Sequence, residues 1–423
     1  LGDDGGLGLT AARNPLGESV AGGVDAKDNP FRIFWIFLIL GCTSFGGPIA
    51  HLGYFREALA RKRGWMDDRS YADLVALCQF LPGPTSSQAG FALGLIRGGP
   101  PGALAAFVGF TLPSAVVMIA LGFGVLLIGD PREAGWLKGF KLATVAVVAQ
   151  AVVGMARTLC PDMLRSFLAA IAGGLILLAG ATGHSLIATQ FLAIVFGGFA
   201  GYLLIESDRL KAPAPRIDVG VSKCAALVFG ALFLALVIYL PIWALSGAGT
   251  LAVPIGGFFR AGSLVFGGGH VVLPMLRAEV ATPGHLSAET FLAGYGAAQA
   301  LPGPLFAFAG YLGTAMSAGP GGVLGGALAI VAIFLPGFLL LLAALPFWSA
   351  LRANSAVQGA LKGVSAIVVG ILAAALYDPI ITDSVNNCLE TILAIAGITG
   401  LVVRKVPAWL LVATLPAAGS VLL

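Results

Sequence analysis

The chain has 423 residues, of which 58% are hydrophobic and only 10% charged, with a formal net charge of +4. A soluble domain carries about 25% charged residues, so this composition excludes a soluble enzyme and a nucleic-acid-binding protein and places the chain in lipid. The apolar runs are also too many for a single anchor on a soluble domain.

In chain order, residues 1–30 are polar and glycine-rich, with no apolar core and no small-residue cleavage site. A disordered tail is expected there, without a signal peptide. A first repeat spans 31–205, with membrane segments expected at Phe31–Tyr54, Tyr71–Ile96, Gly102–Ile128, Leu142–Leu159, Ser166–Thr182 and Leu186–Ile205. A polar linker at 206–223, holding Pro213 and Pro215, is expected to be cytoplasmic. An extra transmembrane helix follows at 224–245. The second repeat, 246–423, has expected segments at Thr250–Leu276, Thr290–Ser317, Gly322–Trp348, Val357–Tyr377, Cys388–Val403 and Pro407–Leu422. The five cysteines form no C-x-x-C pair and read as small packing residues. No metal site and no cofactor is expected.

The halves match in sequence. Gln79-Phe80-Leu81-Pro82-Gly83-Pro84 pairs with Gln299-Ala300-Leu301-Pro302-Gly303-Pro304, and Phe110-Thr111-Leu112-Pro113-Ser114 with Ile333-Phe334-Leu335-Pro336-Gly337. The offset is 220 at the first pair and 224 at Leu137-Lys138-Gly139 and Leu361-Lys362-Gly363. An odd helix between two six-segment repeats makes the second enter the membrane from the opposite face. The predicted fold is therefore an all-α integral membrane protein of two inverted-topology repeats with broken or re-entrant helices. Loop charge agrees: Arg56–Arg69 contains five cations, whereas Arg277–Glu289 sets Arg277 against Glu279 and Glu289. A scheme in which the first two segments of each repeat are re-entrant hairpins gathers most cations on one side. Full crossing by both is the alternative.

Unwound backbone in a membrane is tolerated where it lines a cavity or is covered by protein. At each Leu-Pro-Gly-Pro, two prolines remove N–H donors and push their predecessors out of helix. A helix restarting at Pro84 or Thr85 presents free N–H groups and a partial positive charge, a ready anion site. The alternative is a proline-kinked helix capped by hydroxyls. Candidate substrate contacts are Gly46, Gly47, Gln79, Gly83, Thr85, Ser86, Gly267, Gly268, Gln299 and Gly303. The glycines supply backbone N–H nests, the glutamines amides just before each break. The second copy lacks the hydroxyls of the first, so the two tips are not equivalent. Intramembrane ionisable groups are functional candidates. His51, Arg260 and His270 are candidates for charge balance or proton transfer, with hydrogen bonding to backbone the alternative for the histidines. Arg260 either faces the cavity or snorkels to the interface, and the same choice applies to Glu279 and Arg97.

Thr43-Ser44-Phe45-Gly46-Gly47-Pro48-Ile49-Ala50-His51, the basic loop ending Gly64-Trp65, and Gln79 to Pro84 form one signature. Phe266-Gly267-Gly268-Gly269-His270, Leu273-Pro274-Met275-Leu276, Glu279 and Gln299 to Pro304 form the other. With these paired signatures, which cover nearly everything after Pro30, the chain resembles the chromate ion transporter family in its long, two-domain form. The resemblance implies chromate efflux across a bacterial cytoplasmic (inner) membrane, chromate resistance, and sulfate as a chemically similar competitor. Other readings of the same scaffold are a sulfate or other oxyanion carrier, an anion channel and a membrane-embedded reductase. The implied partners are the anion and the lipid bilayer. The oligomeric state is open, a homodimer included.

Overall fold

A computed structural model describes residues 28–127, 135–205, 221–246, 251–266, 271–281, 284–404 and 406–422. Gly267, Gly268 and His270, most of the tail and most of the linker fall outside these described residues. Among them every regular element is helical, and seven stretches are long and apolar enough to cross a membrane.

The first half opens with two helical hairpins. Helix α1 (Pro30–Thr43) is capped by Asn29, whose side chain accepts the Phe31 N–H at 2.9 Å. It ends at Ser44, and α2 (Gly47–Phe55) continues into a π-helical turn, Arg56–Arg61. The chain then returns to where it began. Trp65 packs on Phe37 of α1, with ring centroids 6.3 Å apart, and lies 5.7 Å beneath the Arg97 guanidinium. Arg97 in turn bonds Asp28, just before α1, at 3.2 Å. The second hairpin is α3 (Asp68–Phe80), a break at residues 81–84, and the first arm of α4 (Thr85–Leu127). That arm comes back to Arg97, the same end again. At Gly99 (φ 64°) the helix is interrupted, and the arm 100–127 starts a full-length span. The two arms of α4 cross where Gly94 meets the backbone of Gly102, a contact that leaves no room for a side chain.

The second half repeats the design with α9 (Ala252–Ser263), α10 (Val272–Leu276) and its π turn Arg277–Ala281, then α11 (Ala288–Ala300). A break at 301–304 and a short turn, Leu305–Ala307, lead to α12 (Phe308–Ala315) and the long α13 (Gly322–Ala344). Gly313 meets Gly325 as Gly94 meets Gly102. The long arm 100–127 and α13 run antiparallel. Phe107 packs on Phe334 and Phe338 at 5.1 and 4.9 Å. Toward the other end, side chains on Gly326 and Gly322 would meet Ile119 and Phe123.

The remaining helices are exchanged between the halves. α15 (Ser355–Ala375) of the second half packs against α6 (Met163–Thr182) and α7 (Leu186–Leu204) of the first. Reciprocally, α5 (Gly135–Leu159) packs against α16 (Cys388–Val402) and α17 (Ala408–Leu422). Lipid offers no hydrophobic drive between helices, so close backbone approach at small residues holds such crossings. Gly197 and Gly201 lie on Gly363 and Gly359, and Gly139 on Leu415 and Pro416. α8 (Lys223–Leu245) lies on α9 and α13 with most of its surface outward, and α14 (Trp348–Ala353) is a short link.

Two expectations are corrected. Of the cysteines, Cys78 is buried and Cys160 packs part-buried against the core, whereas Cys42, Cys224 and Cys388 are exposed. Gln79 is exposed rather than buried, because α3 buries its Asp73, Leu74, Leu77 and Cys78 face and turns Ala72, Ala76 and Gln79 outward.

Candidate functional site

The four breaks meet. The Gly83 N–H donates to the Val265 carbonyl at 2.7 Å, and the Gly303 N–H donates to the Ser44 carbonyl at 2.9 Å. Each Leu-Pro-Gly-Pro break is thus bonded to the first hairpin's tip in the opposite half. Both glycines have positive φ, 121° and 95°, and both are crowded. A Cβ on Gly83 would lie 2.9 Å from Gly337 Cα, and one on Gly303 would lie 2.9 Å from Ser114 Oγ. Gln88, fully buried, ties the junction together: its Nε2 donates to the carbonyls of Pro82 and Gly337, each at 2.9 Å.

Most of the buried polar groups come from the first half. α4 restarts at Thr85, and its first intrahelical bond at this end runs from the Gln88 N–H to the Pro84 carbonyl. The N–H groups of Thr85, Ser86 and Ser87 have no partner within the helix. Thr85, Ser86 and Ser87 are buried, as are Ser44, Thr111 and Ser114. His51 is buried with them, its Nδ1 3.3 Å from Ser86 Oγ and its ring edge-on to Phe110 at 5.3 Å. Ser114 Oγ donates to the Thr111 carbonyl at 3.0 Å.

Several of these polar atoms have no protein partner: Ser44 Oγ, Ser87 Oγ, Gln88 Oε1, Thr111 Oγ1 and, beside the second break, Gln299 Nε2. An unsatisfied buried polar group costs roughly 1–3 kcal/mol, so a cluster of them marks a place where another molecule completes the bonding. Ser87 lies one helical turn before Phe91, and Thr111 one turn after Phe107. Phe91 and Phe107 both pack on Phe338, at 4.4 and 4.9 Å. Helix register therefore sets Ser87 and Thr111 over one aromatic floor. The second half supplies only apolar residues at the matching places. Val265 stands for Ser44, Leu305, Phe306, Ala307 and Phe308 for Thr85 to Gln88, and Phe334 for Thr111, all buried.

At the first tip, Gly46 (φ 97°) is exposed and Gly47 (φ 76°) half-buried, and nothing lies within 4 Å of a Cβ built on Gly47. The structure brings together His51, Gly83, Thr85, Ser86 and Gly303, with Gly46 and Gly47 following Ser44 and Gln299 just before the second break, and leaves Gln79 exposed on the Ala72 and Ala76 face of α3. Arg260 is paired within its own half rather than bonded to this cluster. Its Nε and Nη2 donate to Glu279 Oε1 and Oε2 at 2.8 and 2.6 Å, a two-pronged ion pair. Arg97 is likewise paired, with Asp28. Sequence reading did not single out Ser44, Gln88, Thr111 and Ser114 as site residues. The available signal was the polarity difference between matched motifs, Thr111 and Ser114 facing Phe334 and Gly337 in the other copy.

Comparison with known proteins agrees with this duplicated architecture. The model of the chromate transporter family matches residues 31–202 and 255–420. A chromate transport protein of Pseudomonas aeruginosa is 28% identical over 82% of this chain and 80% of its own length. One from Cupriavidus metallidurans is 28% identical over 82% and 81%. An uncharacterized transporter of Methanocaldococcus jannaschii is 28% identical over 83% and 85%. No solved structure matches the chain. With two matched regions that together cover most of its length, the chain belongs to the chromate transporter family.

Proposed function

We propose that the protein is a secondary transporter that moves chromate out of the cell across a bacterial inner membrane, thereby conferring chromate resistance. In this reading the two halves are inverted repeats, and the anion binds where their broken helices meet. The observation that carries it is the group of buried hydroxyls without partners, Ser44, Ser87 and Thr111, beside the free N–H groups that open α4.

The chemistry suits a tetrahedral dianion. Donors converge from a helix N-terminus, from hydroxyls and from the backbone around Gly46 and Gly47, so a dehydrated oxyanion is met from several directions. Asymmetry suits it as well. One half supplies donors and the other a wall of Phe306, Phe334 and Phe338, so there is one binding position rather than two. The antiparallel long arms and the reciprocal Gly83–Val265 and Gly303–Ser44 bonds support the inverted arrangement. An interior-negative potential favours exit. At about 2.3 kcal/mol per charge per 100 mV, a dianion is pushed outward by ~4.6 kcal/mol per 100 mV.

The test is chromate movement in proteoliposomes with an imposed potential. Saturable flux with counterflow, inhibited by sulfate, is expected. Counterflow with sulfate alone would assign the scaffold to another oxyanion, and currents without counterflow would make it a channel.

A further inference from the structure

The second half contains a charge pair that the anion site leaves unused. Arg260 stands between Phe259 and Ala261, both buried, in the last turn of α9. Glu279 reaches it from the π turn after α10, and the two make the two-pronged bond at 2.8 and 2.6 Å. Space for the carboxylate is built in: a Cβ on Gly257 would lie 3.0 Å from Glu279 Oε2. The first half has no equivalent, since the matching positions are Ile39 and Ala58. An ion pair carried inside apolar hairpins is costly unless it works.

Its position suggests the work. Arg260 precedes Val265 by five residues, and the Val265 carbonyl accepts the Gly83 N–H at the junction of the breaks. At 1.5 Å per residue that is about 7 Å along the axis; the guanidinium now lies back beside Gly256, so reaching the junction requires the extended side chain to swing to the C-terminal side of its helix. The Arg260 side chain is 27% exposed and the Glu279 side chain 8%, so the cation is the partner with room to move. Other titratable groups on the packed elements are Arg277 on the π turn itself, Glu289 and Tyr295 on α11, Tyr202 on α7, and Lys223, Cys224 and Tyr239 on α8. Arg277 pairs with Asp383 at 3.5 Å. Among the described residues, Arg260 alone is bonded to Glu279.

We propose that the Arg260–Glu279 pair is a proton-coupling site, a reading that rests on the anion site proposed above. When a dianion enters the junction, Arg260 leaves Glu279 and turns toward it. The carboxylate left behind in an apolar hairpin takes a proton from the aqueous side on one of its oxygens. The loaded carrier then moves the dianion with one proton, a net single negative charge. On release Arg260 returns, Glu279 gives up the proton, and the empty carrier resets with a neutral pair. Interior-negative potential still drives the loaded form outward, and acidity on the loading side speeds it.

The experiment uses the full chain in proteoliposomes with an entrapped pH dye and chromate as probe, at alkaline pH where the probe stays a dianion. Wild-type net chromate entry should acidify the lumen by about one proton per anion. Glu279→Gln should abolish the dye signal while chromate-for-chromate counterflow, which needs no net proton movement, still occurs. Arg260→Gln should raise half-saturation at least about tenfold. Net chromate entry without acidification in the wild type, or an undiminished dye signal in Glu279→Gln, would overturn the coupling. If Glu279→Gln fails to insert, the neutral double variant Arg260→Gln/Glu279→Gln replaces it, and a persisting dye signal there is equally fatal. Loss of wild-type counterflow itself would instead overturn the transport function.

Discussion

Gly83→Ala and Gly47→Ala are the same change at positive φ, yet the structure separates their effects. At Gly83, φ is 121° and the new methyl would sit 2.9 Å from Gly337 Cα and 3.0 Å from Gln88 Nε2. The first obstacle is backbone and cannot step aside. Positive-φ strain of roughly 1–2 kcal/mol adds to overpacking of roughly 1–3 kcal/mol, so about 2–5 kcal/mol is lost. At Gly47, φ is 76° and nothing lies within 4 Å of the methyl, leaving only the strain of roughly 1–2 kcal/mol. Gly83→Ala should therefore lower the apparent melting midpoint of the purified protein well below that of Gly47→Ala. Gly47→Ala should melt closer to wild type and still lose chromate counterflow, because in the proposed site its methyl would occupy the space for the anion. Equal melting of the two variants would refute the crowded junction. Wild-type counterflow in Gly47→Ala would refute the role of that open space.

Other outcomes follow from the same contacts. Thr111→Val and Ser87→Ala remove buried hydroxyls that have no protein partner, so each should leave the melting midpoint unchanged or slightly raised. Each should also raise the half-saturation for chromate about tenfold, the equivalent of ~1.4 kcal/mol. Trp348→Phe removes the indole N–H that donates to the buried Asp73 carboxylate at 3.0 Å. Thermal denaturation should show a loss of roughly 1.5–3 kcal/mol, the range for hydrogen bonds to charged groups. Asp162 caps α6 outside the membrane, and the Arg165 backbone N–H, then its guanidinium, hold the carboxyl below its ordinary value. A depressed folded-state pKa stabilises above the unfolded value and is lost as pH falls through the folded one. Stability should thus decline on acidification below the ordinary carboxylate range, by less in Asp162→Asn, as followed by melting across pH.

The breaks were legible because proline and glycine act locally. Leu81-Pro82-Gly83-Pro84 ends α3 at Phe80 and restarts helix at Thr85, as its missing donors require. The extra helix was equally plain from hydropathy, its start shifted only to Lys223. What a helix touches was not legible, because a helix apolar all round carries no stripe to mark its packed face. Hence the exchange of α15 onto α6 and α7 has no sequence signal. The Arg260–Glu279 pair bridges 19 residues across a break, beyond the reach of any helical spacing rule. The hydroxyl cluster was half legible. Thr85 and Ser86 stood out beside the prolines, whereas Ser44 and Thr111 acquire meaning only when folding buries them without partners.

The most direct test of the account is the position of chromium in the protein loaded with chromate, located by anomalous scattering. The account places the peak at the junction of the breaks, within hydrogen-bonding distance of the Ser87 and Thr111 hydroxyls and the first N–H groups of α4. A peak elsewhere, with that junction empty at saturating chromate, would contradict it.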